Sequence, residues 1–140
     1  MFIKQLSVFV ENKYGRLQAI IEKLSENGVN IRALSIADTT DFGILRLIAD
    51  DNDKAQTVLA YSGVISVPTD VIAVYIDDKT GGLAHVLKIL TDAGISIEYM
   101  YAFLGRQEGK ALMVLKADDE AVAAKVLAEN GIALADPNDL

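Results

Sequence analysis

Asn12-Lys-Tyr-Gly-Arg-Leu17 and Asp78-Lys-Thr-Gly-Gly-Leu83 are versions of one motif, and reading them together decides the fold. Each closes a strand-like run and opens a helix-like one. Aligned on Gly15 and Gly81 the two copies are offset by 66 positions, which also pairs Leu24 with Leu90, Gly28 with Gly94, Val29 with Ile95 and Ile31 with Ile97. Later the offset becomes 68, pairing Asp50-Asp51 with Asp118-Asp119 and Gly63 with Gly131. The chain is therefore one unit written twice, the second copy carrying two extra residues in its middle. Such self-similarity takes precedence over any local reading.

Within the first copy, residues 3–11 alternate and carry β-branched and aromatic side chains, which predicts a strand. Asn12 to Gly15 is turn chemistry, with Asn12 read as a capping residue. Leu17, Ile20, Ile21 and Leu24 fall at helical spacing, and Gly28 ends that helix. Residues 29–37 and 44–49 form a hairpin around the turn 38–43. Asp50 to Asp53 supplies caps and favourable charge for a second helix, which Gly63 stops. Residues 64–67 close the unit, and Pro68-Thr69-Asp70 is read as the linker.

The second copy repeats this order. A strand spans 71–77, and the helix that follows carries Leu83, Val86, Leu87 and Leu90. The hairpin comprises 96–104 and 110–117 around the turn 105–109. A helix over 121–129, a strand over 132–135 and a loose tail over 137–140 complete it. The order is βαββαβ twice, with boundaries at 1–69 and 70–140. That predicts an α+β fold of two ferredoxin-like units, each an antiparallel sheet with both helices on one face. The edge strand of each sheet needs cover. Joining the units side by side into an eight-stranded sheet is the simplest way to give it.

Composition narrows the function. Hydrophobic residues make up 51% of the chain, enough for packed cores, but no apolar run is long enough to span a bilayer. Residues 1–4 lack the basic start of a signal peptide, and the cytoplasm is the expected location. The chain has no cysteine, which excludes disulfides and thiolate chemistry. A net charge of −7 repels nucleic acid and anionic membranes. The only histidine is His85, and the serines have no other base, so neither a triad nor a metal cage is expected. The paired aspartates fall where helices begin and are read as caps. Thr80-Gly-Gly82 offers a strand-to-helix nest for an anion, yet no nucleotide-binding glycine motif is present. No catalytic residue, metal or cofactor is expected.

At these residues the chain resembles a tandem ACT-domain protein. The family's pattern is D/N-x-P-G-x-L, a helix, and then G-V/I-N-I opening the second strand. The first copy has Asn12 to Leu17 and Gly28-Val-Asn-Ile31; the second has Asp78 to Leu83 and Gly94-Ile-Ser-Ile97. The family's proline is Tyr14 in one copy and Thr80 in the other, and its asparagine is Ser96 in the second. ACT modules typically bind amino acids, often where one unit's strand-to-helix loop meets the start of another unit's second strand. The resemblance therefore implies two site sets. One comprises Asn12, Tyr14, Gly15, Arg16 and Leu17 with Ser96 and Ile97. The other comprises Asp78, Thr80, Gly81, Gly82 and Leu83 with Asn30 and Ile31. The second is favoured because it holds both a carboxylate and an asparagine. Loop N–H groups suit an α-carboxylate, and Asp78 suits an α-ammonium. His85 lies one turn into the helix behind that loop. The implied protein is a non-catalytic regulatory module that binds a free amino acid between its units and acts on a partner enzyme or a second copy as a homodimer. The competing reading is a structural module that assembles with a partner protein without any small ligand.

Overall fold

In the computed structural model the described residues are 2–38, 41–105 and 108–140. Residues 39–40 and 106–107, within two of the expected turns, lie outside them, as does Met1. Alternation along β1 (Ile3–Glu11) sends Leu6, Val8 and Val10 to one face, where all three are buried. α1 (Arg16–Glu26) follows and buries Ile20 and Leu24, four residues apart and so on one stripe. β2 (Ile31–Asp38) and β3 (Phe42–Ala49) form the hairpin. α2 (Asn52–Tyr61) buries Ala55 and Leu59. These side chains share one core with Leu45, Leu47 and Val64, so both helices cover the same sheet face. β3 pairs antiparallel with both β1 and β2, and Phe9 N–H donates to Ile65 C=O at 3.2 Å, which sets residue 65 beside β1.

The second copy builds the same unit from β4 (Ser66–Asp77), α3 (Gly82–Asp92), β5 (Ile97–Ala102), β6 (Lys110–Ala117) and α4 (Glu120–Glu129). Ile72, Val74 and Ile76 pack with Val86, Leu90, Leu115 and Leu127 in a second core. β6 pairs antiparallel with β4 and β5. The chain divides into two compact units, one of Lys4–Thr69 and one of Asp70–Leu140 with the start of the chain.

Four expectations need correction. The described residues hold six strands, not eight. The closing strand of the first unit and the opening strand of the second are one strand, β4, so Pro68-Thr69-Asp70 is strand rather than linker. Pro68 is exposed, and a proline is tolerated where a strand asks no N–H of it. Residues 132–135 reach β4 through a single bridge, Val74 to Leu134, with Tyr75 N–H to Ala133 C=O and Ala135 N–H to Ala73 C=O at 2.9 Å each. That contact is too short to make a strand. The tail is not loose either. Pro137–Asp139 forms a 3-10 turn, closed by a reciprocal capping box between Asp136 and Asp139.

The aspartate pairs act as caps through their second member. Asp51 accepts from Lys54 N–H at 3.0 Å and Asp119 from Val122 N–H at 3.1 Å. One residue on, the copies diverge. Asn52 Oδ1 accepts from Ala49 N–H at 3.0 Å while its amide donates to Lys4 C=O at 2.8 Å. Its counterpart Glu120 accepts from Ala117 N–H at 2.9 Å and from Lys116 Nζ at 3.1 Å on Oε1, but its buried Oε2 has no donor. Burial pushes the Glu120 carboxyl above its usual range, outweighing the pull of Ala117 N–H and Lys116. For Lys116, burial acts downward, but Glu120 and Glu98 more than offset it and hold the ammonium above its usual range. Both partners of one pair thus shift upward. The orphaned Oε2 explains why Glu120 does not follow the direction its cation alone would set. A carboxyl raised in the folded state lends stability that is full below the ordinary carboxyl pKa and is lost as pH rises through the folded value.

Glu120→Gln keeps the Oε1 acceptor and removes this titration. At neutral pH it should stay within about 1 kcal/mol of the parent. Glu120→Ala, which strips Ala117 N–H of its acceptor, should lose about 1–3 kcal/mol. Urea denaturation at stepped pH should show the Gln variant gaining on the parent as pH rises through the carboxyl range. A gap that does not change with pH would remove the role given to Oε2.

Candidate functional site: the strand-to-helix loops

α1 and α3 begin differently from α2 and α4. Their N-cap positions are Gly15 and Gly81, held left-handed at φ 78° and 85°, and no side chain caps either helix. That conformation favours glycine, which explains why both copies keep one there. A glycine cap brings no side-chain acceptor. Arg16 N–H is taken by Lys13 C=O at 3.1 Å and Gly82 N–H by Lys79 C=O at 3.0 Å, which leaves the next amides of the first turn to face an anion. Asn12 is therefore not the cap that turn chemistry suggested, and Asp78 does not cap α3. Asn12 Nδ2 instead donates to Asp38 Oδ1 at 3.2 Å, and its backbone N–H to Asp41 C=O at 3.2 Å. The carboxylate of Asp78 is exposed, and its backbone N–H donates to Gly109 C=O at 3.1 Å.

In the first unit the loop borders a pocket of about 250 Å³. Asn12, Lys13 and Leu17 line it together with Ile36, Asp38 and Gly43. Leu17 and Ile36 give it an apolar wall, and both are partly open to solvent. Lys13 pairs with Glu11 at 2.9 Å and holds that carboxyl below its usual range, first through the hydrogen bond and then through its charge. The pocket therefore presents an ammonium, two carboxylates, an amide and an aliphatic wall. Tyr14 is fully exposed, and Arg16 points into a different cleft. Of the residues expected here, the pocket gathers Asn12 and Leu17. Lys13, Ile36 and Asp38 were not foreseen. Asp38 lay inside a segment read only as a turn, and Ile36 on a strand whose end gave no sign of reaching the loop.

In the second unit Asp78, Thr80, Gly81 and Leu83 are exposed, while Gly82 is buried. Gly82 borders a cleft of about 220 Å³ with Asp77, His85 and Lys110. Lys110 Nζ and Asp77 Oδ1 form an ion pair that holds the Asp77 carboxyl below its usual range, with Lys79 and His85 adding to the effect. A Cβ on Gly82 would come within 2.0 Å of the Asp77 carbonyl oxygen, so this turn is closed against the backbone. At the equivalent place the first unit accepts Arg16.

The strand starts lie elsewhere within each unit. Asp38 pairs with Gly43 at the loop end of the first sheet, whereas Ile31 pairs with Ala49 at the other. By strand rise that separates the two ends by roughly 20 Å. Asn30 is exposed and its N–H donates to Asp50 Oδ1 at 3.0 Å; Ser96 is likewise exposed, and its C=O accepts from Asp118 N–H at 3.0 Å. Ile31 and Ile97 are half-buried against their own cores. A unit's loop and its strand start thus cannot form one crevice by themselves. Among the described residues no group of three metal-ligating side chains gathers, and no helix is long and apolar enough to cross a membrane.

Paired βαββαβ units with glycine-capped first helices define an ACT-type module. The family model for the ACT domain pair matches residues 1–140, and the chain belongs to that family. Protein BT0572 from Bacteroides thetaiotaomicron has a similar structure, with a TM-score of 0.90 and 38% identity over 96% of this chain and 92% of that one. The regulatory subunit of aspartate kinase from Thermus thermophilus shares the fold at a TM-score of 0.63 and 11% identity, covering 91% of each chain. The corresponding subunit from Thermus flavus does so at 0.60 and 15%, covering 90% of each. No curated protein matches the chain.

Gly82→Ala should cost about 1–3 kcal/mol, because the methyl meets backbone that cannot step aside. Arg16→Ala, at the matching position, should change stability by no more than about 0.5 kcal/mol. Thermal denaturation of the two variants would decide this, and equal midpoints would contradict the closed turn.

Proposed function

We propose that this ACT domain pair is a regulatory module that binds a free amino acid at its strand-to-helix loops. The observation that carries this reading is the recurrence of an uncapped helix start in both copies, beside groups of both charges. The open amides at the start of α1 or α3 receive the α-carboxylate. The α-ammonium goes to Asp38 and Glu11 in the first unit and to Asp78 in the second. The pocket of about 250 Å³ is large enough for one amino acid, and Leu17 with Ile36 favours an aliphatic side chain. The remaining wall comes from the strand start of a different ACT unit, Ser96–Ile97 or Asn30–Ile31, in this chain or in a second copy. The Thermus proteins that share the fold are named as regulatory subunits of aspartate kinase, and the proposal extends a regulatory role to this chain. Binding shifts a conformational or assembly equilibrium only through differing affinity for its states.

A second reading, assembly with a partner protein without a small ligand, draws on the exposed Phe9, Phe42 and Ile65. The two are told apart by a thermal-shift screen of the twenty amino acids. A ligand at a hundredfold its dissociation constant adds about 2.7 kcal/mol, which is a rise of several degrees in Tm. At least one amino acid should produce it, and Asp78→Ala and Asp38→Ala should each weaken the loop they belong to by about tenfold, the value of one charge-assisted contact. A flat screen together with silent calorimetry would leave only the assembly reading.

A further inference from the structure

Arg16 belongs to the loop motif by sequence, but its side chain lines another space. Between α1 and α2 lies a cleft of about 460 Å³, with Ile20, Val58 and Val64 as its floor and Arg16, Lys23 and Tyr61 around its rim. All of it falls within the unit Lys4–Thr69. Its volume is that of small-molecule sites. We propose that this cleft is a second binding site, taking an amphipathic carboxylate whose acid group meets Arg16 and whose apolar body lies on the floor beside Tyr61.

Arg16 and Lys23 are seven residues apart, so they share one face of α1 about 10 Å from each other along its axis. They set two cations beside an apolar floor in a chain of net charge −7. The carboxylate near Arg16 is Glu11, which Lys13 engages at 2.9 Å and which feels Arg16 as a through-space charge. Lys23 pairs with Glu26 at 3.7 Å with both side chains more than half exposed, a contact weak enough to exchange. Two neutral polar groups of the lining each make a bond within their own helix turn. Asn27 Nδ2 donates to Lys23 C=O at 2.8 Å, and Ser62 Oγ to Val58 C=O at 3.1 Å. The charged donors of the lining, which make the stronger bonds to an anion, are the two cations. Tyr61 is 90% exposed at the mouth, where a ring can close over an apolar body.

The sister copy shows that the fold does not ask for these residues. The equivalent cleft of the second unit, about 220 Å³, is bordered by Gly82, His85, Val86, Asn130 and Ile132 at the positions of Arg16, Ala19, Ile20, Ser62 and Val64. The counterparts of Lys23 and Tyr61 are Ile89 and Glu129. Packing of the two helices is kept there while no arginine, lysine or aromatic ring stands at the three matched positions; the cation on that cleft, Lys110, comes from the sheet and is paired with Asp77, and its ring, Tyr75, comes from β4. Arg16, Lys23 and Tyr61 thus answer to something other than the architecture.

The test titrates the full chain with 3-phenylpropionate, and with 3-phenylpropan-1-ol as the uncharged control, followed by calorimetry and by amide NMR shifts. The acid should bind and move resonances of α1 and α2, and the alcohol should bind at least about tenfold more weakly, the value of one charge-assisted contact. Arg16→Gln should reproduce that loss with an unchanged Tm, and Tyr61→Ala should weaken the acid severalfold. Asp38→Ala and Asp78→Ala should each leave acid binding intact, and the response to free amino acids should survive Tyr61→Ala, so this site and the loop sites can fail independently. Equal binding of acid and alcohol, shifts confined to residues outside α1 and α2, or indifference to Arg16→Gln would overturn the proposal. So would self-association abolished by Tyr61→Ala with no acid binding, which would make the cleft a protein contact.

Discussion

The left-handed turn at Gly15 and Gly81 is the constraint on which the rest depends. It lets a strand pass into a helix within four residues, and it does so without a side-chain cap. A conventional cap such as Asp51 or Asp119 satisfies its own helix and leaves little for a visitor. A glycine leaves the amides beyond the first without a side-chain acceptor and removes the side chain that would stand in front of them. The same residue that makes the turn possible therefore creates the vacancy at its helix start. In the first unit, Lys13, Glu11 and Asp38 then surround that start with charge of both signs.

The stability of each unit rests on its core rather than on that surface. Leu24, Leu59, Leu90 and Leu127 are fully buried at equivalent places in the two units. Burying side chains of this size contributes about 1.5–3 kcal/mol each. Exposed pairs such as Lys88 with Asp92 contribute well under about 1 kcal/mol. Exposed rim residues of the loops and cleft are thus free to vary without endangering the fold. The left-handed Gly15 and Gly81 are not, and neither is Gly82, pinned by the Asp77 carbonyl.

Much of the fold could be read in the sequence, because periodicity and glycine punctuation are local signals and the repeat supplied each one twice. What could not be read depended on contacts distant along the chain. The strands on either side of Pro68 looked separate because proline suggests a break, yet an exposed strand position tolerates it. Residues 132–135 carry a strand-like pattern but find too few partners to extend it. The tail looked loose because a capping box three residues long leaves little trace in composition. At the strand-to-helix loops, the turns at Gly15 and Gly81 were evident, since backbone requirements show in residue type. Asp38 and Ile36 were not, because register between strands decides which turn residues reach the loop. Arg16 was grouped with its neighbours in sequence, although the first turn of a helix points successive side chains in different directions.

Between the two halves of this chain, conserved backbone geometry and divergent walls sit side by side. Arg16 against Gly82, Tyr61 against Glu129 and Asn52 against Glu120 are substitutions at matched stations of one scaffold. Duplication lets the two halves differ at such stations while each keeps the same backbone. A single polypeptide can thereby sample two chemical environments at fixed stoichiometry, one to one in every molecule made, with no second gene to keep in balance.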